Sequence, residues 1–401
     1  MKIVLISNLY PPIDRGGGAE RVAQRIVHIL QRHGHEVVVL STKPFKGISS
    51  FTPKQDYIGA GYIFRLYPMN IYYILNDYKQ WFPIRMLWHL LDLFSCFTNN
   101  KVKIFLEQEQ PDIILTHNLK GIGLGIARAI RGFGRPWIHT LHDVQLSVPS
   151  GLLMYHKQHG LDYTFLRGWY ERLVKFIFKS PDLVISPSAY LADFYKERGF
   201  FLKSQVIVLP NPAPENQVEY RSKRQNGPIR FLFIGQHEKH KGILFLIKTL
   251  KYLSFAFECH IVGEGTCSSV IGKMIAADDR FIYHGFVSFE QIQNLLSITD
   301  VLLVPSLCYE NSPTVIYESL QAGVPVIASR IGGVGELIKD GKNGMLFEPG
   351  NSKDFLRVLY LFEEHLADFQ NVSKEIQASV KPYEIKNYAS ILETWMKSFI
   401  K

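Results

Sequence analysis

Two glutamates, Glu310 and Glu318, flank the seven residues Asn-Ser-Pro-Thr-Val-Ile-Tyr. The run 301–304 (VLLV) just before them reads as a buried strand. Asn311, Ser312 and Pro313 then read as a turn that caps a helix starting near Ser312, with Pro313 in its first turn. Backbone N–H groups around Ser312, Thr314 and Val315 would form an anion site, strengthened by the helix dipole. Glu318 lies nearly two turns into that helix, where a carboxylate accepts hydrogen bonds from hydroxyls. Glu310 precedes the helix on a loop. Together these groups suit a polyhydroxylated ligand that carries phosphate. Two glutamates at this spacing are common by chance. The specific signal is the whole run: strand, Glu-Asn-Ser-Pro, second Glu, then Ala-Gly-Val-Pro-Val-Ile.

Such a site needs elements to hold it. Short apolar runs alternate with helical patterns along the chain. Ile3–Ile6 and Val37–Leu40 bracket a helix from about Ala19 to Arg32, and further strands are expected at 112–116, 136–140, 183–186 and 205–208. Residues 209–228, rich in Pro, Asn and charge, read as a linker. The alternation restarts with strands near 230–234, 258–262, 281–284, 301–304, 325–328 and 345–347. Continuous apolar strands separated by helices indicate parallel sheets covered on both faces. The fold class is therefore α/β, as two doubly wound Rossmann-like domains, 1–208 and 229–380, facing a cleft. Ligands of such sheets bind beyond the carboxyl ends of the strands. Residues 381–401 read as a separate helix with Tyr388, Ile391, Leu392, Trp395 and Phe399 on one face, packing back on the N-terminal domain.

The Glu310–Glu318 element resembles the signature of the family 4 glycosyltransferases, retaining enzymes of the GT-B fold, and the resemblance runs along almost the whole chain. FIGQHEKHKG resembles the family's Gly-Arg-Leu-x-x-x-Lys-Gly segment. It implies a tight turn at Gly235 and a diphosphate partner in Lys241. The family arginine is replaced by Gln236, which can hydrogen-bond phosphate but brings no charge; Lys239 or His240 are conceivable substitutes. Gly263 and Gly265 match a strand-end glycine turn, and Gly285, Phe286 and Val287 match a segment that meets the nucleotide base. NLYPPIDRGGGAERV resembles the glycine-rich loop of the N-terminal half, where Gly16, Gly17 and Gly18 let backbone approach a phosphate. LHDVQLSVPSG places His142 beside the donor sugar. With 14 histidines in the chain, His142 is singled out only by that motif.

Composition narrows the rest. At 47% hydrophobic and 20% charged residues, the chain is neither disordered nor fibrous. Cys96, Cys259, Cys267 and Cys308 form no C-x-x-C pair and read as reduced thiols of a cytoplasmic protein. The opening MKIVLISNLYPP is expected to be a first strand and not a leader. Asp-x-Asp, a Gly-Lys-Ser/Thr phosphate loop and zinc spacings do not occur, so no metal or other cofactor is expected. GIGLGIA (Gly121, Gly123, Gly125) imitates a dinucleotide fingerprint with its third glycine misplaced; close helix–strand packing explains it better. Residues 1–208 hold 25 Lys and Arg against 15 Asp and Glu, whereas 209–401 hold 20 against 21. The whole surplus sits in the N-terminal half, which points to an anionic partner there. Nucleic acid is not expected, since no recognised module appears. An anionic membrane surface is, through the apolar segment 84–97 with Trp88 and a helix at 162–179 presenting Arg172, Lys175 and Lys179.

The resemblance implies sugar transfer from a nucleotide-sugar to a hydroxyl of a lipid-linked or surface-polysaccharide precursor. Lys241 would stabilise the departing diphosphate, Glu318 would hold ribose hydroxyls, and Glu310 and His142 would hold the sugar. Two alternatives stay open: a nucleotide-sugar epimerase of the same fold, and a degenerate subunit that binds nucleotide-sugar without turnover.

Overall fold

The computed structural model describes residues 1–12, 17–59, 61–156, 165–215 and 227–400. They fall into two compact units. The first takes those within 1–152, 159–212 and 385–401; the second takes those within 153–158 and 213–384. The middle of the linker segment (216–226), Gly16 and residues 162–164 of the expected basic helix lie outside the described residues.

The first unit is built on β1 (Lys2–Ile6), β2 (Glu36–Thr42), β3 (Lys54–Ile58), β4 (Gly61–Leu66), β5 (Ile113–Thr116), β6 (Trp137–Thr140), β7 (Leu183–Ser186) and β8 (Gln205–Val208). Their order is β3-β4-β2-β1-β5-β6-β7-β8, parallel except that β3 runs against β4. Val4 sits opposite Val38 on one side and Ile114 on the other. All three are fully buried, as a strand covered on both faces requires. Helices α1 (Gly18–Arg32), α2 (Phe82–Phe94), α3 (Cys96–Glu109), α4 (Ala127–Phe133), α5 (Phe165–Phe178) and α6 (Ala189–Glu197) complete the unit. The α1 stripe of Val22, Ala23, Ile26, Val27 and Leu30 packs in one core with β1 and β2.

The C-terminal helix Ile385–Phe399 joins that core through Tyr388, Leu392 and Met396. Ile391, expected on the buried face, is exposed, and Met396 takes its place.

One expected membrane contact is corrected. Trp88 is 0% exposed: its indole N–H donates to Tyr72 O at 2.8 Å and its ring stacks on Tyr72. Lys175 is engaged by its own unit, donating to Arg198 O at 3.0 Å beside the Phe200 ring. Arg172 and Lys179 are exposed. Trp88→Ala should cost about 3–5 kcal/mol of unfolding free energy by opening a core cavity, read from denaturant midpoints.

The glycines of GIGLGIA serve packing, though against a helix junction and not a strand. A Cβ on Gly125 would overlap the Phe94 carbonyl, and one on Gly123 would overlap Ser95, between α2 and α3.

The second unit is an all-parallel sheet of β9 (Ile229–Ile234), β10 (Phe257–Val262), β11 (Phe281–Gly285), β12 (Val301–Val304), β13 (Val326–Ser329) and β14 (Gly344–Phe347), in the order β11-β10-β9-β12-β13-β14. Between strands run α7 (Ile243–Leu250), α8 (Ser268–Ile275), α9 (Phe289–Ile298) and α10 (Thr314–Gln321). The chain leaves β9 toward β10 and β11, then returns to place β12 on the other side of β9. The switch point of this sheet therefore lies between β9 and β12, where loops diverge and leave room for a ligand.

Candidate active site

Lys241 and Glu310 meet at that switch point. Lys241 ends the short 3-10 turn Lys239–Lys241 that follows β9, and Glu310 lies on the loop that follows β12. Lys241 Nζ donates to Glu310 Oε1 at 2.6 Å, and Ser306 Oγ donates to the same oxygen at 2.9 Å. The two side chains are 28% and 15% exposed, so each is mostly withdrawn from water while still accessible. Burial pushes the Glu310 carboxyl up, but the Lys241 charge, the bonds from Lys241 and Ser306, and His240 outweigh it and hold it below its ordinary value. Burial pulls the Lys241 ammonium down, but Glu310 and Cys308 raise it on balance. Both groups are thus ionised across the neutral range.

The backbone fixes this pair. Leu307 N donates to His240 O at 2.8 Å, tying the β12 loop to the lysine turn. Gly242, at φ +75°, sits where a Cβ would overlap the Pro305 carbonyl. Tyr309 N donates to Leu153 O at 2.8 Å, so residues 153–156 brace the same loop. Behind Glu310, Gly333 N donates to its carbonyl oxygen at 2.8 Å.

Beside the pair, glycines close the ends of three strands. Gly235 N donates to Val262 O at 3.1 Å and Gly263 N to Gly285 O at 2.8 Å. Gly263, at φ +126°, lies so close to the Gly235 carbonyl that no Cβ fits. His237 is fully buried under this lacing, with Nδ1 at 3.2 Å from Ser268 Oγ. Gln236 points out, Phe286 is exposed, and Val287 packs against the core.

Helix α10 starts later than expected. Pro313 is its N-cap, in extended conformation, and Thr314 is its first residue. Proline's fixed φ and missing N–H suit the boundary, and the extended ψ keeps Ser312 outside the helix. Ser312 Oγ lies 2.6 Å from Tyr317 OH. The N–H groups that open the helix are therefore those of Thr314 and Val315, while Ile316 N is already bonded to Pro313 O at 3.1 Å. Asn311 is half-buried next to Glu310, and Glu318 is 0% exposed inside the helix.

In the first unit, His142 follows β6 and pairs with His117, which follows β5. His117 Nδ1 and His142 Nε2 are 2.8 Å apart and the rings stack. Burial lowers His142 to about 4. Asp143 Oδ1 accepts from Gln145 N at 2.8 Å and so fixes the turn after His142. Gly17 N donates to Glu20 Oε2 at 2.7 Å at the start of α1, and Gly18 is exposed.

Because His142 resists protonation when folded but not when unfolded, its contribution is intact above about pH 6.5 and is lost as pH falls toward about 4. Asp143 and Asp92, raised by burial to about 6 and about 7, titrate in the opposite sense. The comparison that isolates His142 is therefore between variants. Between pH 7 and 5, wild type should lose on the order of 1–2 kcal/mol more stability than His142→Gln, read from urea midpoints.

Sequence reasoning missed Ser306, His117, Gly242 and Gly332. Ser306 ends the Val-Pro-Ser run after β12, and His117 is the first residue after β5. Both positions face the carboxyl ends of strands, which is the signal that would have found them.

Residues 16–217 match the family described as Glycosyltransferase Family 4, and residues 228–361 match Glycosyl transferases group 1. A 42.6 kDa Klebsiella pneumoniae protein, described as uncharacterized and in a cps region, is 26% identical over 345 residues, which are 84% of this chain and 87% of its own. The sucrose-phosphate synthase of Thermosynechococcus elongatus superposes with a TM-score of 0.78 at 18% identity, over 99% of this chain and 98% of its own. Anabaena HepE in complex with UDP-glucose superposes at 0.70 and 18% identity, over 99% and 100%. The two structural likenesses carry the fold, GT-B, and the sequence matches carry the family. The chain belongs to glycosyltransferase family 4.

Proposed function

We propose that the chain moves a sugar from a nucleotide-sugar, with retained configuration and without a metal, to a hydroxyl of a lipid-linked or surface-polysaccharide precursor at the cytoplasmic face of a membrane. The observation that carries this reading is the Lys241–Glu310 pair at the β9/β12 switch point, next to the opening N–H groups of α10. A diphosphate leaving group gains negative charge as its glycosidic bond breaks. Lys241 and the N–H groups of Thr314 and Val315 are fixed charges and dipoles of the opposite sign. Glu310 would hold the sugar and the cationic character of its ring, and Glu318 the ribose hydroxyls. Gly235, Gly263, Phe286 and Val287 would border the nucleotide. The acceptor hydroxyl forms the new C–O bond on the face the diphosphate leaves, and its proton passes to a phosphate oxygen. No strong general base is then required. His142, Gly17 and Gly18 are the first unit's candidates for contacts to the sugar and phosphate.

HepE in complex with UDP-glucose makes UDP-glucose the first donor to try. Purified protein is incubated with a panel of nucleotide-sugars and lipid-linked acceptors. Acceptor-dependent release of nucleoside diphosphate is expected. Epimer or free sugar formed without acceptor would instead assign an epimerase or hydrolase. Gln236, exposed and uncharged, favours one second reading, a binding subunit. Calorimetric binding of nucleotide-sugar with no turnover across the panel would establish it.

A further inference from the structure

Helix α2 is amphipathic in the reverse sense. Its outward side carries Phe82, Met86, Leu87, Leu90 and Leu91, all exposed, with Trp81 at its N-cap 80% exposed. Its polar residues Arg85, His89 and Asp92 lie on the other side, half-buried or buried. Asp92 is buried and accepts from Gly121 N at 3.0 and 3.1 Å, and Arg85 pairs with Asp77 at 2.9 Å. A surface helix of a globular protein has the opposite arrangement. A contiguous exposed apolar face of this kind marks a binding surface.

The face continues beyond α2. Phe97, near the start of α3, is 66% exposed. Thr98 Oγ1 donates to Pro68 O at 3.0 Å, which sets α3 beside Tyr67, and Tyr67 packs against the exposed rings of Phe45 and Phe51. Cations border it. Lys101 follows Phe97 by one turn on the same side of α3. Lys43 and Lys54 lie on the neighbouring segments, Lys43 Nζ donating to Thr52 O at 2.5 Å and Lys54 pairing with Asp56 at 2.7 Å, and Lys43 is close enough to Lys101 and Lys54 that burial and these charges lower its ammonium.

We propose that this face of the first unit docks on a bilayer surface containing anionic lipid, with α2 embedded in the headgroup region. The chemistry fits on both counts: aromatic and aliphatic side chains enter the interface while the lysine cluster meets lipid phosphates. The surplus of ten positive charges in residues 1–208 has the matching sign. No described helix is long and apolar enough to cross a membrane, so this contact is interfacial. The proposal deepens the membrane location given in the proposed function and rests on it for that alone; none of these residues belongs to the Lys241–Glu310 site, so vesicle binding and sugar transfer can fail independently.

The test is co-sedimentation of the full chain with vesicles of equimolar phosphatidylglycerol and phosphatidylcholine, and with phosphatidylcholine alone. Binding to the anionic vesicles is expected, weakening at high salt. Leu87→Glu/Leu91→Glu should lower partitioning at least about tenfold while melting at the wild-type temperature, since both positions are exposed. Lys101→Glu should lower it about fivefold or more. Absent binding by wild type, or equal binding by the double variant, overturns the proposal. A wild-type dimer that the double variant dissociates, without vesicle binding, assigns the face to a second copy and overturns it as well.

Discussion

Lys241→Ala is expected to lower kcat for sugar transfer by about 10²–10³-fold, the loss typical of one preorganised group facing charge that develops in the transition state. The effect should fall mainly on kcat, because the diphosphate is more negative when leaving than when bound. Lys241→Arg should recover part of the rate. The reach of arginine differs, and the Glu310 contact at 2.6 Å is set for an ammonium. Removing Lys241 also leaves Glu310 with its charge mostly buried, held by the neutral donors Ser306 Oγ at 2.9 Å and, weakly, Cys308 Sγ at 3.9 Å. A stability loss of about 1–3 kcal/mol should accompany the kinetic loss. Steady-state rates with a saturating donor, together with denaturant midpoints, separate the two effects.

Gly332→Ala is the second large effect. Gly332 has φ +56°, and a Cβ there would overlap the Glu310 carbonyl oxygen and lie 3.2 Å from the Glu310 N. The neighbouring N–H of Gly333 holds that same carbonyl. An alanine must therefore move the Glu310 backbone or twist its own. The expected cost is about 1–3 kcal/mol of stability. Transfer should fall by about tenfold or more, since displacements near 1 Å in a catalytic group are enough for that. Gly335→Ala is the control. A Cβ at Gly335 meets open space, so stability should stay within about 0.5 kcal/mol of wild type. Equal behaviour of the two variants would mean that Gly332 does not set the position of Glu310.

Much of the fold was legible because buried parallel strands are continuous apolar runs. The segments at 183–186, 205–208 and 301–304 match β7, β8 and β12 residue for residue. The hairpin β3–β4 was not legible. Its first strand, Lys-Gln-Asp-Tyr-Ile, is mostly exposed at the sheet edge, so it carries no apolar run. Trp88 misled for the converse reason. Helix α2 exposes most of its apolar side chains and buries Trp88 and Leu93 on the side of its polar residues, against the usual rule for a surface helix. Only contacts decide which side is buried, and they place Trp88 against Tyr72. At the site, the Glu310–Glu318 spacing and the glycine turns could be read directly. The Lys241–Glu310 contact could not, since 69 positions separate the two residues. The resemblance to family 4 put both near the donor, and the sheet order explains why: the loops after β9 and β12 are neighbours although β10 and β11 intervene in the chain. The shift of the α10 start from near Ser312 to Thr314 was hidden because proline is compatible with both the cap and the first turn.

Electron density for a bound nucleotide-sugar decides whether the Lys241–Glu310 pair is the donor site. The diphosphate is expected within hydrogen-bonding distance of Lys241 Nζ and of the Thr314 and Val315 N–H groups, with the sugar against Glu310 and the ribose at Glu318. Density for the nucleotide away from the β9/β12 switch point, with the Lys241–Glu310 pair untouched, would contradict it.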